Sequence, residues 1–201
     1  MRTEILQIGI TGGIGAGKTL ICEIFKNLGI PVYNADNRAK WLMSNHPELK
    51  KNIILHFGEK AYFDQALNRR YLAEHVFNHE ESLNLLNSLV HPKVQKDYLN
   101  WVNNQNSPYC IKEAALLFET GSYKNLDKNI LVYAPTEVRI SRVLRRDPFR
   151  KEEEIRQIID KQMSDREKRA LADITIYNDD KHMILPVVLN IHVRLIQQIP
   201  F

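Results

Sequence analysis

The residues best suited to chemistry lie in one short run, GITGGIGAGKTL, at positions 9–20. Five of the chain's 8 glycines fall inside it. A glycine-dense turn costs conformational entropy, so the backbone itself must have a task there. The spacing Gly12-x-x-x-x-Gly17-Lys18-Thr19 fits a phosphate-binding loop, whose successive N–H groups line a concavity for phosphate oxygens. Lys18 is expected to reach the β- and γ-phosphates of a nucleoside triphosphate, and the Thr19 hydroxyl to take a Mg²⁺ ligand position. A helix starting near Lys18 adds the positive end of its dipole. The expected nucleotide contacts are Gly13, Gly15, Ala16, Gly17, Lys18, Thr19 and Leu20.

Such a loop needs a strand before it and a helix after it. Residues 4–10 read as a buried strand and residues 18–28 as a helix. A turn at Gly29-Ile30-Pro31 and a short strand at 31–33 complete a βαβ unit, which implies a parallel sheet covered by helices. Beyond Asp36 the pattern becomes helical: Leu86, Val90, Val94 and Tyr98 recur every four residues, with Pro92 expected to break or kink the stripe. Further strands are expected at 109–114, 129–133 and 174–177. Thr136 reads as the cap of a helix stopped by Pro148, followed by a charged helix at 151–163 and a packed terminal helix at 184–196. The domain reading is a nucleotide-binding core at 1–35 and 106–201, with a helical insertion at 36–105.

A length of 201 residues, 44% hydrophobic and 26% charged, suits an ordinary globular protein of one domain with a modest insertion. The net charge of +4 suits an anionic substrate but falls short of a dedicated nucleic-acid binder, so no nucleic-acid partner is expected. Cys22 and Cys110 sit in apolar contexts and read as free thiols in a reducing cytosol. No secretory leader is read in the first apolar run. The stretch at 184–196 is interrupted by Pro186, Asn190, His192 and Arg194, so no membrane span is expected. A cytoplasmic location, and a monomer or weak homo-oligomer, are expected. No cysteine or histidine cluster has zinc-ligand spacing.

A phosphate loop alone permits a kinase, a GTPase, a motor or a passive binder. The Asn-Lys-x-Asp and Asp-x-x-Gly elements of a GTPase are not found, and a motor needs more chain. A small-molecule kinase with an arginine-bearing lid remains, beside a non-catalytic ATP-binding protein. Three elements bear on the choice. Asp36 follows the second strand, where it would either accept the proton of an attacking hydroxyl or cap a helix. Arg139, Arg142, Arg145, Arg146, Arg150 and Lys151 form a basic cluster that either neutralises phosphate charge or makes a solvated face. Glu113, at a strand end near Thr19, would hold Mg²⁺ through water, with Glu119 as the less well placed choice, or either would be a surface charge. His91, beside Pro92, reads locally as a structural histidine.

Together these segments resemble the dephospho-CoA kinase family from the first strand to about residue 180. GITGGIGAGKT resembles that family's opening Thr-Gly-Gly-Ile-Gly-x-Gly-Lys-Ser, and NADNRAK its Asp-Ala-Asp-x-x-Ala-Arg element. LVHPKV resembles its Leu-x-His-Pro-x-Val, and ALLFE its Pro-Leu-Leu-Phe-Glu. RVLRRD followed by KQMSDREKRALADITIYN resembles its lid and tail. The resemblance implies an α/β fold of the P-loop NTPase type: a parallel sheet flanked by helices, a helical substrate-binding insertion and a helical lid at about 142–168. It implies phosphorylation of the ribose 3′-hydroxyl of 3′-dephospho-CoA by ATP with Mg²⁺. Lys18, Asp36, Arg142 and Arg146 would be catalytic, Asn178 would lie near the adenine, and Asp36, His91 and Leu117 would meet the substrate. Four departures stand out: Asn34 for an aspartate, Ala115 for a proline, Lys168 for an arginine and Asp180 for a glycine.

Overall fold

The computed structural model describes residues 5–64, 66–77 and 79–197. Its first strand, β1 (Leu6–Thr11), runs through the middle of a five-stranded parallel sheet. β5 (Tyr109–Glu113) lies on one side of β1 and β6 (Lys128–Tyr133) on the other. β2 (Val32–Asn34) pairs outside β5, and β7 (Ile174–Tyr177) outside β6. Ile10 stands opposite Glu113, and Glu113 opposite Asn34. The strands' carboxyl ends therefore share one edge, and the chain winds outward from β1 in both directions. Ligands of open α/β sheets bind at such an edge.

Helices cover the sheet, so β1, β5 and β6 are buried along most of their length. α1 (Lys18–Asn27) buries Ile21, Cys22 and Phe25, and α9 (Ile184–Gln197) buries Val188, Ile191 and Leu195. These pack with Ile8, Ile10, Ile111, Ile130 and Val132 in one core. Each such side chain contributes about 1.5–3 kcal/mol on burial. α1 stops where Gly29 turns left-handed at φ +82: Gly29 N–H donates to Lys26 O at 2.9 Å and Ile30 N–H to Phe25 O at 3.0 Å.

After β6 come α6 (Thr136–Arg146), α7 (Glu152–Lys161) and α8 (Asp165–Leu171). Ile155 of α7 is fully buried against Ile140 and Val143 of α6, with Ile14, Leu144 and Ile159 around them. Thr136 does not cap α6; Pro135 holds that position, and the Thr136 hydroxyl accepts from Arg139 Nη2 at 3.2 Å instead. The expected helix at 151–163 is α7, which ends at Lys161. α8 restarts the helix through a capping box: Ser164 Oγ accepts from Glu167 N at 3.3 Å, and Glu167 Oε2 from Ser164 N at 3.0 Å.

The chain divides into two units, residues 1–34 with 105–201, and residues 35–104. The second holds α2 (Ala35–Asn45), α3 (Pro47–Phe57), α4 (Arg69–Phe77) and α5 (Glu80–Asn103). A short antiparallel pair, β3 (Tyr62–Phe63) and β4 (Ala66–Leu67), interrupts the expected all-helical segment. α5 runs unbroken through Pro92, against expectation. Val90, Val94, Tyr98 and Val102 are buried along one face, whereas Pro92 and Ser88 are exposed. The carbonyl that Pro92 leaves without its helical donor thus meets water, and packing on the other face offsets the loss. Arg38 grips Asp97 with two hydrogen bonds, at 2.6 and 2.9 Å, and fastens α2 to α5. The expected strand residue Glu4 and positions 198–201 of the expected core lie outside the described residues. Among the described residues, no helix is long and apolar enough to cross a membrane.

Candidate active site

The loop between β1 and α1 is held by its glycines. Gly15 and Gly17 lie at φ +76 and +93, where side chains are strained. A Cβ on Gly17 would overlap Asn178 Nδ2, and one on Gly15 would press on the Arg139 backbone. Ala16 N–H donates to Gly13 O at 3.1 Å and closes the turn. Gly17 caps α1 without a side-chain acceptor, and the first turn carries no acidic residue. The N–H groups of that turn thus face no competing carboxylate, which is what an anion site requires. Lys18 reaches back across the loop, its Nζ donating to the Gly12 and Gly13 carbonyls at 2.8 and 3.3 Å. Thr19 and Leu20, the next two residues, are exposed.

The segment after β6 folds polar side chains onto this loop. Arg139 is only 4% exposed, and its guanidinium occupies the space a side chain at Gly13 would need. Its Nη2 donates to Thr136 Oγ1 and to Asp165 Oδ2, both at 3.2 Å. Gln162 Oε1 accepts from Ile14 N at 3.2 Å. Lys168 is fully buried with its Nζ 3.0 Å from Glu119 Oε1, which also accepts from Met163 N. One α-turn beyond Arg139, Arg142 Nη2 donates to Asn178 Oδ1 at 3.2 Å and to Asp180 Oδ1. Asn178 Nδ2 in turn donates to Ala16 O at 2.8 Å. Arg146 is exposed a turn further on, and lines a surface cavity of about 520 Å³ with Arg142, Arg145 and Asp180. Arg139, expected only as one of the basic cluster, and Gln162, not expected at the site, both touch the loop.

Glu113 sits on the same carboxyl edge, 6% exposed. Its Oε2 accepts from Asn34 Nδ2 at 2.7 Å. Burial first, and the nearby Glu113 second, push the Cys22 thiol above its ordinary range. Asn34 thus presents an amide where a second carboxylate would face Glu113. For Mg²⁺ the core offers the Thr19 hydroxyl and the Glu113 carboxyl, hard oxygen donors of the right kind. Among the described residues, no group of three His, Cys, Asp or Glu side chains could hold a metal alone. A bound Mg²⁺ would therefore draw its remaining ligands from phosphate and water.

Asp36 and His91 belong to the helical unit. Asp36 is exposed in the first turn of α2, and His91 is exposed within α5. Leu117 is fully buried and packs against Gly9. Its neighbour Leu116 is exposed.

A family model described as dephospho-CoA kinase matches residues 6–183. A dephospho-CoA kinase from Bacteroides fragilis is 34% identical over 98% of this chain and 96% of its own length. Among solved structures, a Thermus thermophilus protein superposes with a TM-score of 0.84 at 30% identity, covering 99% of this chain and 100% of its own. Dephospho-CoA kinase from Campylobacter jejuni superposes with a TM-score of 0.69 at 28% identity, covering 96% of this chain and 98% of its own. A glycine loop on β1, polar side chains folded onto it and agreement along almost the whole length lead to one assignment: the chain belongs to the dephospho-CoA kinase family.

Proposed function

We propose that this chain transfers the γ-phosphoryl group of ATP to the ribose 3′-hydroxyl of 3′-dephospho-CoA, giving coenzyme A and ADP. The family match over residues 6–183 carries the reading, and the glycine loop before α1 supports it. The N–H groups from Gly13 to Leu20 hold the phosphates, and Lys18 leaves its two carbonyl partners to bridge the β- and γ-oxygens. Thr19 and Glu113 would hold Mg²⁺, which when bound would neutralise charge on the phosphate oxygens. Asp36 accepts the hydroxyl proton as the ribose oxygen bonds to the γ-phosphorus and the bond to the bridging oxygen breaks. Arg142 and Arg146 stabilise charge on the transferring group, and residues 142–168 exclude water as a competing acceptor. His91 and the helical unit hold the acceptor, and Asn178 lies at the nucleotide. The reaction belongs to the cytoplasm, where the free thiols of the two buried cysteines remain reduced.

The test is ADP release from Mg²⁺·ATP with and without 3′-dephospho-CoA, with adenosine and AMP as comparison acceptors. Release only with dephospho-CoA, with a product of coenzyme A mass, is expected. Preference for AMP or adenosine would discard the substrate. Lys18→Ala and Asp36→Asn should each lower turnover by at least ~10²-fold. Near-normal turnover by a folded Asp36→Asn would remove the role given to that carboxylate.

A further inference from the structure

Asp180 stands where the resembling family has glycine, and the fold gives it an unusual backbone. Its φ is +63, and Asp64 is the one other non-glycine residue with positive φ among the described residues. From that position its Oδ1 takes Nη2 of Arg142 at 2.5 Å. The same Nη2 also donates to Asn178 Oδ1 at 3.2 Å, and Asn178 is itself tied to the loop through Ala16 O at 2.8 Å. Two acceptors on one nitrogen fix the plane of a guanidinium, because its donors form a rigid fork. The other end, Nη1, is buried and has no partner among the described residues. It lies 3.8 Å from the place a Cβ on Gly17 would occupy, at the end of the loop where α1 begins.

We propose that Asp180 is a positioning residue for the nucleotide: by holding Nη2 of Arg142 against Asn178, it braces the Arg142–Asn178 pair against the end of the loop that binds the phosphates. The ion pair contributes little stability, since Asp180 is 61% exposed and screened by water. Its effect is geometric. The inference rests on the reading of the loop as an ATP site but not on the identity of the acceptor.

ATP binding to the full chain, measured by calorimetry without any acceptor, separates the two. Asp180→Gly should weaken ATP about 10-fold, the effect of one charge-assisted hydrogen bond. Its melting temperature should hold or rise, because glycine takes a positive φ without strain. In turnover, KM for ATP should rise while kcat changes less. Asp180→Asn, which keeps an acceptor and tolerates the left-handed region, should recover part of the affinity. The double variant Arg142→Ala/Asp180→Gly should bind no more weakly than Arg142→Ala alone. An Asp180→Gly variant that binds ATP as tightly as the parent, or more tightly, overturns the proposal; the second result would make the carboxylate a competitor for Arg142. Unchanged affinity in Arg142→Ala overturns it as well. Asp180-dependent ATP binding by a chain that ignores dephospho-CoA would sink the substrate assignment and leave this inference standing.

Discussion

At Asn34 a single atom changes the electrostatics of the strand edge. Its amide nitrogen lies 2.7 Å from Glu113 Oε2, so one acid and one neutral donor meet where the resembling family carries an aspartate. Asn34→Asp would set two carboxyls face to face at a site where Glu113 is 6% exposed. Like charges at that distance raise one pKa and destabilise the pair at neutral pH. The variant should lose about 2 kcal/mol, or about 4–8 °C in Tm for a chain of this size. A divalent cation between the carboxyls would offset the repulsion, so Mg²⁺ should raise the variant's Tm more than the parent's. Equal Mg²⁺ shifts in thermal melts of the two would show that Glu113 stands apart from the metal.

At the scale of elements, α8 is fastened by a buried ion pair. Lys168 of α8 is fully buried beside Glu119, which lies in the turn after β5 and also accepts from Met163 N, just before α8. The pair joins two segments separated by β6, α6 and α7. Removing one member leaves the other charge uncompensated, which outweighs the modest net worth of the intact pair. Lys168→Met should therefore cost about 3 kcal/mol, near 6–12 °C in Tm. Lys168→Met/Glu119→Leu should recover most of it. Equal losses for the single and double variants in denaturant unfolding would show that packing, rather than charge, sets the cost.

The whole molecule carries a pH dependence of stability on its alkaline side. Burial, then the nearby Glu113, push the Cys22 thiol above its ordinary value of 9.0, and burial raises the Tyr109 phenol above 10.0. Both belong to the central core. A group whose folded pKa is raised holds its proton more tightly when folded. Its contribution is whole below the unfolded pKa and is lost as pH rises above it. Stability should be flat through neutrality and fall from about pH 9 upward. Cys22→Ala and Tyr109→Phe should each flatten that fall in melts across the alkaline range. A parent whose Tm holds steady through that range would show that neither group ionises on unfolding as described. Cys22 should also resist thiol reagents until the chain unfolds.

The loop, its flanking strand and helix, and the order of the sheet strands in the chain were legible in residues 1–201 alone. They depend on local causes: glycine spacing, apolar period and punctuation by proline. The continuity of α5 through Pro92 was not legible, because the buried face that offsets the missing donor is a tertiary property. The burial of Leu117 beneath Gly9 is equally non-local. The capping box at Ser164 was local and readable, but it was hidden inside a longer charged run. The partners of Asn34, Arg139, Lys168 and Asp180 were decided by the fold. A sequence shows which charges exist. Only the packed chain decides which of them leave water and therefore must find one another, because charge energetics are set by distance and surroundings rather than by order along the chain.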